Sequence, residues 1–261
     1  LGICMGALFF VLLQHLTRSG WSVSVRRLAE GIAKNLSWLW MLFVPILILI
    51  LSGKGSLLYD WANSEYMSHS HMPHSKETFL SPNFWSIRAI VFLLVWAIVS
   101  SLYFRWSTKQ DHDGDVKWTH KMQKWAPICM ILFAFTQSYA IIDWVMTLQP
   151  KWFSTMFAVY YYAATMTAFF SVIILLARFL RNTGHARQSI TTEHYHDLVK
   201  WLFGMGVVFW AYIGFSQYML IWYANIPVET GWYMTRQLGG WAPISILLLV
   251  GHFIIPFVLL I

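Results

Sequence analysis

SIRAIVFLLVWAIVSSLYF, residues 86–104, decides the fold. After Arg88 near its start the run carries no charge, and as a helix of about 20 residues it crosses a hydrocarbon core ~30 Å thick. Blocks of the same kind recur at about 1–16, 36–52, 126–147, 153–177, 199–224 and 240–261. The chain is therefore expected to be an all-α, polytopic transmembrane bundle, one helical domain over residues 1–261 with at least seven spans. Of its 261 residues 58% are hydrophobic and 11% charged, against roughly 25% charged in a soluble domain. That composition excludes a soluble enzyme. The 18% of aromatic residues agrees with rings gathered at the two membrane interfaces.

Lys and Arg alternate between the connections. The first holds Arg18, Arg26, Arg27 and Lys34, the third Arg105, Lys109, Lys117, Lys121 and Lys124, and the fifth Arg178, Arg181, Arg187 and Lys200. The second holds Lys54, Lys76 and Arg88, the fourth Lys151 and the sixth Arg236. By the positive-inside rule the first, third and fifth connections are cytoplasmic and the others face outward. The net charge of +7 is then an orientation signal rather than a nucleic-acid surface. The outward loop 53–85 is polar and rich in His, and is expected to pack against something outside the membrane. The short link LQPKW, 148–152, makes the fourth and fifth spans antiparallel neighbours. Because the chain opens inside LGICMGALFFVLL and closes inside WAPISILLLVGHFIIPFVLLI, it is expected to be the central piece of a longer polypeptide.

Cys4 and Cys129 both lie in apolar blocks, with no CxxC or CxxCH, so no disulfide framework, covalent haem or iron–sulfur cluster is expected on this chain alone. An ionisable side chain inside a span is a functional hypothesis by default. In FTQSYAIIDWVMT, 135–147, Asp143 shares a helix face with Thr136, Tyr139 and Thr147. It is either a carboxylate for proton or quinol chemistry or a hydrogen-bonded, structural interfacial acid. In YYYAATMTAFFS, 160–171, Tyr160, Ala164, Thr167 and Ser171 form a stripe, read as a hydroxyl relay or as interhelical glue. Gln217 lies in the outward half of the sixth span, and Glu229 just beyond it is a proton-exit acid or a solvated loop charge. His252 sits near the midplane of the last span, as a bundle hydrogen-bonder, a proton relay or a quinone ligand. His15 lies near the cytoplasmic end of the first span and so fails as its haem-ligand partner. MSHSHMPHSK, 67–76, offers His69, His71 and His74 with Met67 and Met72 as copper or zinc ligands, or as a polar docking loop.

Three segments carry a resemblance: AIIDWVMTLQPKWFSTMFAVYYYA (140–163), FSQYMLIWYANIPVETGWY (215–233) and SPNFWSIRA (81–89). Together they resemble the ActF-type subunits of bacterial alternative complex III and the wider NrfD-like membrane subunits, with Val228 where an acid is expected before Glu229. The resemblance implies a multi-pass subunit, in the bacterial inner membrane, of a quinol:electron-acceptor oxidoreductase in an electron transport chain. It also implies that this chain carries no redox cofactor. Haem c and iron–sulfur clusters would sit on a multihaem cytochrome c subunit and an iron–sulfur subunit, beside an NrfD-like sister subunit, lipid and quinone. Menaquinol is a candidate substrate. The implied contribution of this chain is a proton-conducting path. Asp143 is its principal carboxylate, with Tyr139, Tyr160, Thr167 and Gln217 beside it, His252 at the midplane and Glu229 at the outward mouth. The alternatives are a quinol-binding subunit, a purely structural anchor for the redox subunits and, further off, a free-standing transporter.

Overall fold

The structure, a computed structural model, describes residues 1–69, 73–184 and 186–261. Among the described residues all regular structure is helical, and six helices are long and apolar enough to cross a membrane. They are Val23–Leu51, Pro82–Asp113, Lys117–Leu148, Phe157–Asn182, Thr192–Ala224 and Gly239–Leu260. The expected first span is α1, Gly2–Leu16, whose 15 residues rise only about 22 Å at ~1.5 Å each.

Helix α1 is enclosed, with Ala7, Leu8, Phe10, Val11 and Leu12 all buried. Gly6 allows the close approach: a Cβ there would stand 2.6 Å from Cβ of Phe169. Phe169 lies on α8, Phe157–Asn182, where it packs with Phe170 around Phe10. Such small-residue contacts bring helices together where lipid offers no hydrophobic drive between them.

After α2 (Val23–Lys34) the chain runs almost without a break into α3 (Leu36–Leu51). Val25, Ala29 and Ala33 line one face of α2, while Arg27 on the same helix bonds Glu30, Asp111 and the Ser107 carbonyl. Outside the apolar runs follow two short helices, α4 (Ser64–His69) and α5 (His74–Phe79). Proline opens α6, Pro82–Asp113, where its missing N–H costs nothing. Gly114, at φ +68, closes it in the left-handed region that glycine tolerates. Helix α7, Lys117–Trp144, runs back alongside α6. Trp96 Nε1 donates to Thr136 Oγ1 at 2.9 Å and Tyr103 OH to the Met122 carbonyl at 2.9 Å, fixing the register of this pair.

The helix expected from 153 starts at Phe157, because Gln149–Trp152 turns back on itself through the Trp152 N–H bond to the Gln149 carbonyl. The fifth connection leads to α9 (Thr192–Trp201), a π turn over Leu202–Val208, and α10 (Phe209–Ala224). Helix α11 (Pro227–Gln237) lies beyond the span. The last run is α12 (Ala242–Leu249), a second π turn over Val250–Ile254, and α13 (Ile255–Leu260).

The loop 53–85 packs first on its own chain. Trp61 and Tyr59 are buried against Trp85, and Tyr59 OH donates to the Trp144 carbonyl at 3.0 Å. Lys76 Nζ donates to the Pro150 carbonyl, tying the loop to the turn before α8.

Candidate functional site

Besides the buried Glu30 with its arginines on α2 and the buried His15 on α1, two groups of ionisable residues within the described part of the bundle bear on the expected path. The first joins the start of α6 to the end of α7. Arg88 Nε donates to Asp143 Oδ2 at 2.7 Å and Nη2 to Oδ1 at 3.2 Å. Asp143 is wholly buried, and Nη2 of Arg88 also donates to the Phe79 carbonyl at 2.9 Å. The guanidinium is sandwiched between the rings of Phe79 and Phe84, 3.8 Å and 4.3 Å from their centroids. Nη1 is buried and has no hydrogen-bond partner among the described residues. Trp85 Nε1 donates to the Asp143 backbone carbonyl at 2.9 Å, and Thr147 Oγ1 donates to the same oxygen. The charge on Asp143 reaches Tyr59 in the loop, whose hydroxyl is pushed up to about 12 by burial and then by that carboxylate.

The second group lies half-way along three spans. Thr167 Oγ1 and His252 Nε2 are 2.9 Å apart. The His252 ring stacks on Trp210, with centroids 4.2 Å apart and planes at 29°. Tyr160 packs on the same indole, 5.2 Å between centroids. Both π turns meet here. Gly206 in the first lies against Thr167, where a Cβ would stand 2.7 Å from Oγ1 and 3.0 Å from Cα. Thr167 Oγ1 also lies 3.4 Å from the Ala163 carbonyl, so its hydroxyl has two acceptors within reach and can donate while accepting.

Tyr160, Thr167 and His252 are thus brought together, and Asp143 stands apart from them with Arg88. Tyr139 faces outward from α7 and is 47% exposed, away from the Asp143 carboxylate. Thr136 accepts from Trp96, and Thr147 serves the backbone of Asp143 rather than its side chain. Gln217 is buried on α10. Glu229 is half-buried in the first turn of α11, where an acid suits the helix dipole. His69 and His74 are exposed, His74 pairs with Glu77 at 3.5 Å, and His71 lies outside the described residues. No group of three metal-ligating side chains occurs among the described residues.

Sequence reasoning counted Arg88 with the outward connection and missed it as the partner of Asp143. The signal was present: a lone Arg one turn inside an apolar run, and a lone Asp near the same-side end of the next.

No family model and no curated protein matches the chain.

A cleft of about 290 Å³ lies between loop 53–85, the α7–α8 turn and α11. Asp60, Tyr66, Lys151 and Trp152 line it, together with Trp232, which stacks on Trp152 at 4.6 Å. Arg236 covers the Trp232 ring at 3.5 Å, and burial pushes that guanidinium down from its ordinary value.

Proposed function

We propose that this chain is a non-haem integral membrane subunit of a quinol:electron-acceptor oxidoreductase of the alternative complex III type, in a bacterial cytoplasmic membrane. Its role is to supply part of a proton-conducting path. The observation that carries the reading is the Thr167–His252 hydrogen bond at mid-span. A titratable imidazole inside an apolar bundle is costly to keep and is by default a candidate for a proton or ligand route. A neutral imidazole accepts at one nitrogen and donates at the other, and a hydroxyl does both. A proton that enters at one partner therefore leaves at the other without a charge being stranded. Tyr160 packs on the same indole as His252, and in this reading the buried Gln217 and Glu229, in the first turn of α11, continue the path outward.

In this reading haem c and iron–sulfur clusters belong to partner subunits, and quinol is oxidised beside an NrfD-like sister chain. Purification of the native complex from membranes, with haem spectra and mass spectrometry, tests the assignment. Co-purification with a multihaem cytochrome c and an iron–sulfur subunit is expected. A lone protein free of such partners would overturn it.

One observation favours a second reading, a structural anchor. The Arg88–Asp143 pair holds α5, α6 and α7 together through side-chain and backbone contacts at once. If that is its whole function, Asp143→Asn lowers the yield of assembled complex in proportion to its turnover. If Asp143 also serves the path, turnover or proton coupling falls in complexes that still assemble.

A further inference from the structure

The two π turns differ in what holds them. In Val250–Ile254 the Ile255 N–H reaches back five residues to the Val250 carbonyl. Pro256 follows at once; it has no N–H to give the His252 carbonyl, and its ring would collide with that carbonyl in an unbroken α-helix. Widening into a π turn relieves the collision. His252 is therefore pinned by a local steric cause.

In Leu202–Val208 the Phe209 N–H bonds the Gly204 carbonyl, again five residues back, but no proline enforces the geometry. What selects this turn is contact across helices. Gly206 lies so close to Thr167 that any other residue there would meet the Thr167 backbone, its amide nitrogen 3.2 Å from the added Cβ. Gly204, two residues earlier, faces open space. A π turn carries one residue more than the α-helix it interrupts, and single π turns are frequent at functional sites. If the extra residue is absorbed, everything beyond turns by about 100°, one residue of a helix with ~3.6 per turn. Trp210, the residue stacked on His252, stands directly beyond.

We propose that Trp210 is a gate over His252, opened by a one-residue register shift of the glycine-bearing turn 202–208 while Pro256 holds His252 in place. In the closed register Gly206 sits on Thr167 and Trp210 covers the imidazole. In the open register a larger neighbour, Met205 or Val207, takes the place of Gly206, the two helices separate, and Trp210 swings off the ring. The two arrangements are alternative packings of one element: in the closed one His252 holds its bond to Thr167 beneath Trp210, and only in the open one can the imidazole pass a proton onward. The inference rests on the reading of His252 as a proton carrier, and it names how that carrier is regulated.

The test uses the native complex with Cys4 and Cys129 replaced by alanine. Cysteine replaces His252 and, one at a time, Phe209, Trp210 or Ala211. Bridging is by methanethiosulfonate spacers of graded length. Irreversible bridging accumulates even a state populated at about 1%. The 252–210 pair and one of the 252–209 and 252–211 pairs are expected to bridge. Gly206→Ala, which collides with Thr167, is expected to raise the neighbour's share several-fold, and Gly204→Ala to leave it unchanged. Bridging of 252–210 alone, in both the parent and Gly206→Ala, would overturn the gate, and so would no bridging at all. Failure of the proton reading is separate: unaltered proton coupling in His252→Gln removes that reading and leaves the bridging result standing.

Discussion

Arg88, on the second turn of α6, and Asp143, next to the last residue of α7, form a two-pronged ion pair in which one guanidinium donates to both carboxylate oxygens. Two charges removed from water repay their desolvation only in such a geometry. The flanking rings of Phe79 and Phe84 cover the guanidinium, whose Nη1 has no hydrogen-bond partner among the described residues.

Breaking the pair on one side leaves a buried charge without a partner. Arg88→Met or Asp143→Leu alone is expected to cost about 3–5 kcal/mol, and the double variant to recover most of that loss. Thermal unfolding of the purified protein in detergent measures it. A double variant whose loss equals the sum of the two single losses would show that the charges contribute nothing as a pair.

Gly6 and Gly204 separate space from propensity. Gly6→Ala drives a Cβ into Phe169 and is expected to cost about 1–3 kcal/mol by overpacking. Gly204→Ala, in open space, is expected to be neutral or stabilising by up to ~1 kcal/mol. The same melting assay compares them, and a tolerant Gly6→Ala would contradict the α1–α8 packing.

The loop should leave its seat in alkali. Tyr59 is neutral when seated, with its hydroxyl raised to about 12, while in the unfolded chain it ionises near its ordinary value of 10. Below pH ~10 the contribution is complete. Between about 10 and 12 the unfolded state holds fewer protons, so stability falls by up to about 1.4 kcal/mol per pH unit. Tyr59→Phe is expected to be less stable near neutrality, because it loses the bond to the Trp144 carbonyl. It should also lack this alkaline loss. Proteolysis of the loop as a function of pH reads both effects.

Much of the bundle was legible because a span is written in composition alone. An apolar block such as 86–104 has few other fates. The start of α8 at Phe157 was not legible, because aromatic residues such as Trp152 and Phe153 serve a turn at the interface as well as a helix. Of the candidate site, His252 and Thr167 were singled out separately, but their meeting depends on how the fifth and last spans pack. Arg88 was hidden for a related reason. A charge one turn inside a span looks like the end of a loop until the helix is known to begin at Pro82. The π turns leave almost no trace in sequence. Pro256 hints at one, and the other arises from contact between Gly206 and a different helix.

The central claim is that ionisable residues within this bundle carry protons. Its most direct test is the number of protons moved per electron when quinol is oxidised by membrane vesicles holding the complex with His252→Gln. The account predicts a loss of proton movement with haem spectra and subunit composition unchanged. Normal proton movement at normal turnover would contradict it.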